Sequence, residues 1–379
     1  MPMPAFRQNL QQIVLILLFA VIAMAPAFFN GVPSGNDQAQ HYQFAWTVFE
    51  SVKAGDIYPS FAPDTNHGFG DYGLRFYPPL TYYALAMAYA VVQDWYFASL
   101  MAFTLVFFLG GVGVFLWART EFERPQALIA AMLYVFAPYH LNEIYNNFLL
   151  AEFFATALIP FCFLFLTRAC REGTLANFAA LSVAYSLLIL THLPMTIICS
   201  LAMGIFALVL LNRATFLPTF AKLSASVGLS IVMTSFYWAR WLPELAWITH
   251  SSPKYFATTW DYRTNFLLLP DHFLKFGEDA LNLWFADILL ISTLLVVIPT
   301  IIYLVKDKAL FTRIVAAMAL VLGPSVMMTT PISGFVWDNL GFLQKVQFPW
   351  RFLAIVSLFA AVFASVGIVK VSDSMKAGN

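Results

Sequence analysis

Apolar runs of roughly 20 residues recur from one end of the chain to the other, divided by short polar links. They predict membrane-crossing helices at about 11–29, 97–117, 126–138, 152–168, 177–191, 194–211, 223–243, 287–305, 313–329 and 351–370. Ionisable side chains gather at the ends of these runs and in the links, leaving the interiors nearly uncharged. The pattern reads as an all-α polytopic membrane protein of about ten transmembrane helices, with the whole chain, 1–379, forming one transmembrane domain.

Lys and Arg assign the links to sides. The links 119–124, 168–172, 213–222 and 306–313 are basic-rich and are expected in the cytoplasm, together with both termini, which carry Arg7, Lys370 and Lys376. The apolar segment 78–93 is only 16 residues long, and if it crossed the membrane every later basic link would flip outside. It is therefore expected to be an interfacial or re-entrant helix within a first outer loop, 30–96. A second large outer loop is expected at 244–286. Ala23-Met24-Ala25 resembles a signal-peptide cleavage site, but Pro26 directly after it argues for a retained first helix.

Composition narrows the function. The 379 residues are 61% hydrophobic and only 11% charged, with mean hydropathy +0.75, whereas soluble domains carry about 25% charged residues. A soluble enzyme, a disordered chain and a nucleic-acid binder are excluded. The 20 basic and 20 acidic residues cancel, so no polyanion partner is implied. Cys162, Cys170 and Cys199 form no CxxC pair, which argues against a disulfide framework or a cysteine zinc site.

The polar chemistry collects on the outer side. All six histidines and every tryptophan except Trp117 fall there. Asp37 opens a predicted helix with His41 one turn later on the same face; an N-cap and a catalytic role both remain open. His67 and Asp71 belong either to a glycine-rich loop or to a binding site, and Arg75 and Tyr77 precede a Pro78-Pro79 helix start. Glu152 begins a span, where pairing with the helix dipole is the simpler reading. His192 lies in a tight ThrHisLeuPro turn, and a structural hydrogen bond would also account for it. Arg351 enters the last span from outside, either as an interfacial anchor or as an oxyanion clamp. No Walker, GxGxxG, HExxH or GxSxG motif is present, so a nucleotide-dependent or zinc-protease activity has no support.

An acidic residue just after the first span, then Gly-Asp-x-Tyr-Pro (55–59), then Gly-x-Gly followed by PheTyrProPro (68–79), resembles the multi-spanning glycosyltransferases of the GT-C fold. More narrowly, PheTyrProProLeuThrTyrTyr (76–83), AlaGlu (151–152), ThrHis (191–192) and GlnPheProTrpArgPhe (347–352) look like the bacterial membrane family labelled "6-pyruvoyl-tetrahydropterin synthase-related". The resemblance implies interfacial helices in the first outer loop, with Asp37 as catalytic base and Glu152 assisting. It also implies transfer of a sugar from a polyprenyl phosphate on the non-cytoplasmic face. Two departures matter: relatives often carry an extra domain after the last span, where this sequence closes soon after it, and a basic residue before AlaGlu, where this sequence has AsnAsnPheLeuLeu (146–150). Either would mean a different acceptor, or a need for a partner protein.

The expected activity is an inverting glycosyltransferase of the bacterial inner membrane, with its site facing the periplasm or exterior. Asp37 and Glu152 would be catalytic, with His41, His67, Arg75, Tyr77, His192 and Arg351 binding substrate. No metal-ligand set is assigned, and dependence on a divalent cation is left open. The partners expected are a polyprenyl-phosphate sugar donor, membrane lipid, and a saccharide, lipid or protein acceptor, with no nucleic acid. The rival is a non-catalytic lipid-linked-saccharide transporter or envelope-assembly scaffold on the same fold.

Overall fold

The computed structural model describes residues 3–248, 261–273, 278–306 and 312–377, so part of the 244–286 loop and of the 306–313 link lies outside the described residues. Within them the chain is helical, with no strand beyond an isolated antiparallel bridge between Ala62 and Asp71. The principal helices are α1 (Met3–Ala23), α2 (Gln38–Lys53), α3 (Leu80–Val92), α4 (Trp95–Ala118), α5 (Arg124–Val135), α6 (Leu150–Glu172), α7 (Leu175–Ile189), α8 (Leu193–Leu210), α9 (Phe216–Met233), α10 (Glu278–Lys306), α11 (Arg313–Met328) and α12 (Leu353–Ala377).

Among the described residues, seven helices are long and apolar enough to cross a membrane, or eight if α11 and the bent continuation Pro331–Asn339 count as one. The expected spans 11–29 and 177–191 correspond to shorter apolar helices, Leu10–Ala23 within α1 and α7. The 13-residue α3 is about 20 Å long, well short of a bilayer core of about 30 Å. It packs on α2, α4 and α6.

Local chemistry starts and stops these helices. The Asp94 carboxylate accepts from Phe97 N at 3.0 Å to cap α4, and Thr312 caps α11 through Val315 N. Gln93 ends α3 in a left-handed conformation, and Gly173 ends α6 the same way. Between helices in lipid, close packing does the work that hydrophobic collapse does in water. Thus α4 presents Gly111 to α1 and α5 so closely that an added Cβ would sit 2.6 Å from Ile16 Cγ2. Deeper in the bundle, Trp117, Phe163, Phe206 and Phe359 lock α4, α6, α8 and α12 together, with Trp117 Nε1 donating to Thr167 at 3.0 Å.

The central helices are α6 and α12, both largely buried, whereas α9 and α10 expose most of their apolar surface. Glu152 stands in the first turn of α6, and Arg351 lies just before α12 in the short helix Pro349–Phe352. The N-terminal ends of the two innermost helices therefore carry these two charged residues.

In a chain freed of its native cysteines, single cysteines at Asp64 and Gly173 are expected to react with an impermeant thiol reagent from opposite sides of sealed vesicles. Labelling of both from one side would overturn the interfacial assignment of α3.

Candidate functional site

Arg351 organises the site. Its Nε donates to Glu152 Oε2 at 2.7 Å, and Nη1 donates to Val346 O at 2.6 Å and Gln347 Oε1 at 3.1 Å. The guanidinium also lies over the Phe348 ring, 4.9 Å from its centroid, and Phe348 stacks on Trp350. The segment GlnPheProTrpArgPhe thus folds around its own arginine. Both charges are buried, Arg351 to 5% exposure and Glu152 to 1%, so lipid headgroups do not hold the guanidinium. The other oxygen of Glu152 accepts from the Tyr139 hydroxyl. Nη2 of Arg351 makes no hydrogen bond to the described residues, leaving one amino group for a ligand.

Asp37 occupies the N-cap position of α2, yet its side chain makes no capping hydrogen bond. Its backbone, at φ −107° and ψ 7°, lies outside the extended region that aims a cap side chain at the helix N–H groups. The half-buried carboxylate faces the electrostatic field of Arg351 instead. Burial raises its pKa above the ordinary aspartate value, and the Arg351 charge pulls it partly back. Capping therefore does not explain Asp37.

Three sequence-predicted residues gather beside it. His41 shares a 3.0 Å hydrogen bond with the Tyr82 hydroxyl and packs edge-on against Tyr77. Burial lowers its pKa to about 4, so the ring is neutral at pH 7. Tyr77 lies close enough to Asp37, Arg351 and Glu152 to feel all three charges. His192 caps α8 by accepting from Met195 N at 3.3 Å, and burial with the nearby Arg351 charge keeps it neutral as well. Asp37, His41, Tyr77, Glu152, His192 and Arg351 thus converge from five separated stretches of chain.

Two expected members do not join them. His67 sits exposed in the turn closed by the paired backbones of Ala62 and Asp71, where its positive φ of 56° fixes it. Asp71 is spent on its own turn and on α2, accepting from Gly73 N at 2.6 Å and Gln40 Nε2 at 3.1 Å. Arg75 binds Glu244 at 2.5 Å, tying the first outer loop to the segment after α9. Local turn geometry and a nearer carboxylate decide these two positions.

Glu143 escapes the sequence reading. It opens a π-helical turn, Glu143–Asn147, a geometry frequent at functional sites. Its side chain is fully buried, neither carboxylate oxygen has a hydrogen-bond partner, and it lies in the field of Glu152 and Arg351. The signal was available: a lone carboxylate between apolar neighbours in TyrHisLeuAsnGluIleTyr. The same turn anchors the first outer loop, because Asn36 N donates to Asn147 O at 3.1 Å. An added Cβ at Gly35 would meet Phe148 Cβ at 2.6 Å, so only glycine permits this approach. Among the described residues, no group of three His, Cys, Asp or Glu side chains could hold a metal ion.

This arrangement, a polar cluster at one end of a bundle of apolar helices, belongs to a membrane protein of the GT-C fold. The fold matches ArnT from Cupriavidus metallidurans bound to undecaprenyl phosphate, with TM-score 0.57 and 14% identity over 96% of this chain and 60% of that one. It also matches the Archaeoglobus fulgidus oligosaccharyltransferase tethered with an acceptor peptide, with TM-score 0.56 and 16% identity over 96% of this chain and 50% of that one. The chain belongs to the family described as "6-pyruvoyl-tetrahydropterin synthase related domain; membrane protein", which matches residues 74–377. An uncharacterised protein of Lactococcus lactis subsp. cremoris (strain MG1363) is 24% identical over 207 residues, covering 52% of this chain and 32% of that protein. The chain thus spans less than two thirds of each of these proteins.

The two buried glutamates should differ in what their loss does. Glu152→Leu leaves Arg351 uncompensated and should destabilise by about 3–5 kcal/mol. Glu143→Leu removes a carboxylate that has no hydrogen bond to lose and should leave thermal unfolding in nanodiscs unchanged or shifted upward.

Proposed function

We propose that the protein is an inverting glycosyltransferase of the bacterial inner membrane that takes a sugar from a polyprenyl phosphate on the periplasmic face. The observation that carries the reading is Asp37: a carboxylate at a helix start that caps nothing and faces the buried Arg351. A structural aspartate at that position would bond the helix N–H groups, as Asp94 does. The GT-C fold supports the same reading, as do the ligands named for its relatives, undecaprenyl phosphate for ArnT and a dolichol-phosphate for the archaeal oligosaccharyltransferase AglB.

In the proposed reaction the Asp37 carboxylate takes the proton of an acceptor hydroxyl while that oxygen attacks the anomeric carbon of the sugar. The bond from this carbon to the phosphate oxygen breaks, and the lipid phosphate leaves with the electron pair. The free Nη2 of Arg351 stabilises the charge that develops there. Glu152 keeps the guanidinium in place, which makes it a positioning residue in this scheme. Neutral His41 and His192 leave Arg351 as the cation of the cluster among the described residues. Tyr77 and His41 wall the site, while His67 and Arg75 stand outside it.

The test uses purified protein in nanodiscs with a panel of undecaprenyl-phosphate hexoses and envelope saccharide as acceptor, reading the release of undecaprenyl phosphate. Asp37→Asn should fold normally and lose about 10²- to 10⁴-fold in turnover. Because the base must be ionised and its pKa is raised, activity should fall on acidification at a higher pH than an ordinary aspartate would set. Full turnover in Asp37→Asn would remove Asp37 as the base, whereas no release of undecaprenyl phosphate by the unaltered protein across the donor panel would favour the scaffold.

A further inference from the structure

Beside the polar cluster, at the outer end of α4, opens a cavity of about 520 Å³, within the size range of small-ligand sites. Its walls are Tyr42, Trp46, Trp95 and Tyr96, and the side chains of Gln38 and Gln43 reach it from α2. The aromatic rings are held from behind. Trp95 stacks on Tyr89 with centroids 4.2 Å apart, the Tyr42 hydroxyl bonds Ser99 at 2.5 Å, and Tyr96 donates to Phe28 O at 2.9 Å. Trp46 stands at 64° to Trp95, so two indole faces meet at an angle. Neither glutamine amide makes a hydrogen bond to the described residues.

The lining selects a chemical class. No Asp, Glu, His, Lys or Arg lines the cavity, so a neutral ligand suits it better than a phosphate or another anion. Rigid aromatic faces suit a flat apolar surface with polar edges. Each amide offers two donors and two acceptor lone pairs, the complement of neighbouring hydroxyls. An isoprenoid or acyl chain would use neither amide, and the walls offer it only one aliphatic residue, Val32. A neutral pyranose has both features, an apolar C–H face and a rim of hydroxyls.

We propose that this cavity is a saccharide subsite, in which a neutral pyranose ring stacks on Trp46 and Trp95 and hydrogen-bonds to Gln38 and Gln43. Gln38 directly follows Asp37 at the start of α2 but presents a different face, so only a glycan longer than one ring would reach from this subsite to the carboxylate. Naming the ring as part of the acceptor rests on the glycosyl-transfer reading above, whereas its binding does not. The acceptor class thereby narrows to a saccharide.

The experiment incorporates 5-fluorotryptophan into the full chain in nanodiscs and assigns the Trp46 and Trp95 fluorine resonances by Trp→Phe substitution. The probes are methyl pyranosides of glucose, galactose, mannose and N-acetylglucosamine, with 1-octanol as the apolar chain. At least one pyranoside should move both resonances saturably, octanol should not, and the pair Gln38→Ala with Gln43→Ala should weaken that binding at least tenfold. Both glutamines lie at least partly exposed, so this variant tests the site without disturbing the core. Binding should persist in Asp37→Asn, which separates the subsite from the transfer chemistry: loss of transfer with intact binding leaves the subsite standing. A shift with octanol equal to that with the sugars, or no shift with any of the four pyranosides, would overturn it.

Discussion

The buried ion pair between Arg351 and Glu152 sets the terms for the half of this protein that holds the polar cluster. The two residues are 199 positions apart in sequence and meet where the two innermost helices begin. Two charges removed from water carry a desolvation penalty of several kcal/mol per ion, which close geometry and further hydrogen bonds must offset. Here Tyr139 completes the carboxylate, while Val346 O, Gln347 and the Phe348 ring complete the guanidinium. Every one of these partners belongs to the stretch between α5 and α6 or to the segment entering α12. The ion pair therefore fixes the floor against which the first outer loop must dock.

That docking is itself built from short-range contacts. Asn36 N reaches Asn147 O beside a glycine that leaves no room for a side chain, and Leu80 N reaches Leu190 O at 2.8 Å. Tyr237 donates to Phe76 O at 2.8 Å, and Arg75 binds Glu244. These four ties add to the packing of α3 on α4 and α6 and to the bonds from Arg240 to Tyr58 O and Ser60. They explain why ArgPheTyrProPro is held in place although Arg75 itself touches no part of the polar cluster. The tie through Asn147 also settles where Asp37 can be, with its carboxylate turned from its own helix toward Arg351.

Electrostatically the cluster is a set of carboxylates around one fixed cation. Asp37, Glu143 and Glu152 share the field of Arg351, while burial keeps His41 and His192 neutral. Glu152 neutralises the guanidinium along one edge and leaves Nη2 open. Such a site combines a proton acceptor of raised pKa with a single directed donor for an anion. Beside it lies an aromatic cavity lined by no charge at all, so charged and neutral parts of a ligand would meet different walls.

Hydrophobic periodicity determined the helical membrane class, and the distribution of Lys and Arg set the expectation for which side each link faces. They also marked the shortness of segment 78–93, because each depends on the local composition of a single run. The quoted short motifs pointed to Asp37, Glu152, His192 and Arg351 without any means of bringing them together. Tertiary packing alone decided that these four converge, that Arg75 takes a different carboxylate and that His67 stays on an exposed turn. It also decided that Glu143 is buried without a partner and that aromatic residues of α2 and α4 enclose a cavity. The physical reason is that an ion pair or a cavity wall is a relation between residues distant in the chain. Sequence patterns record which face of its own helix a residue occupies, but not which other helix end it will meet.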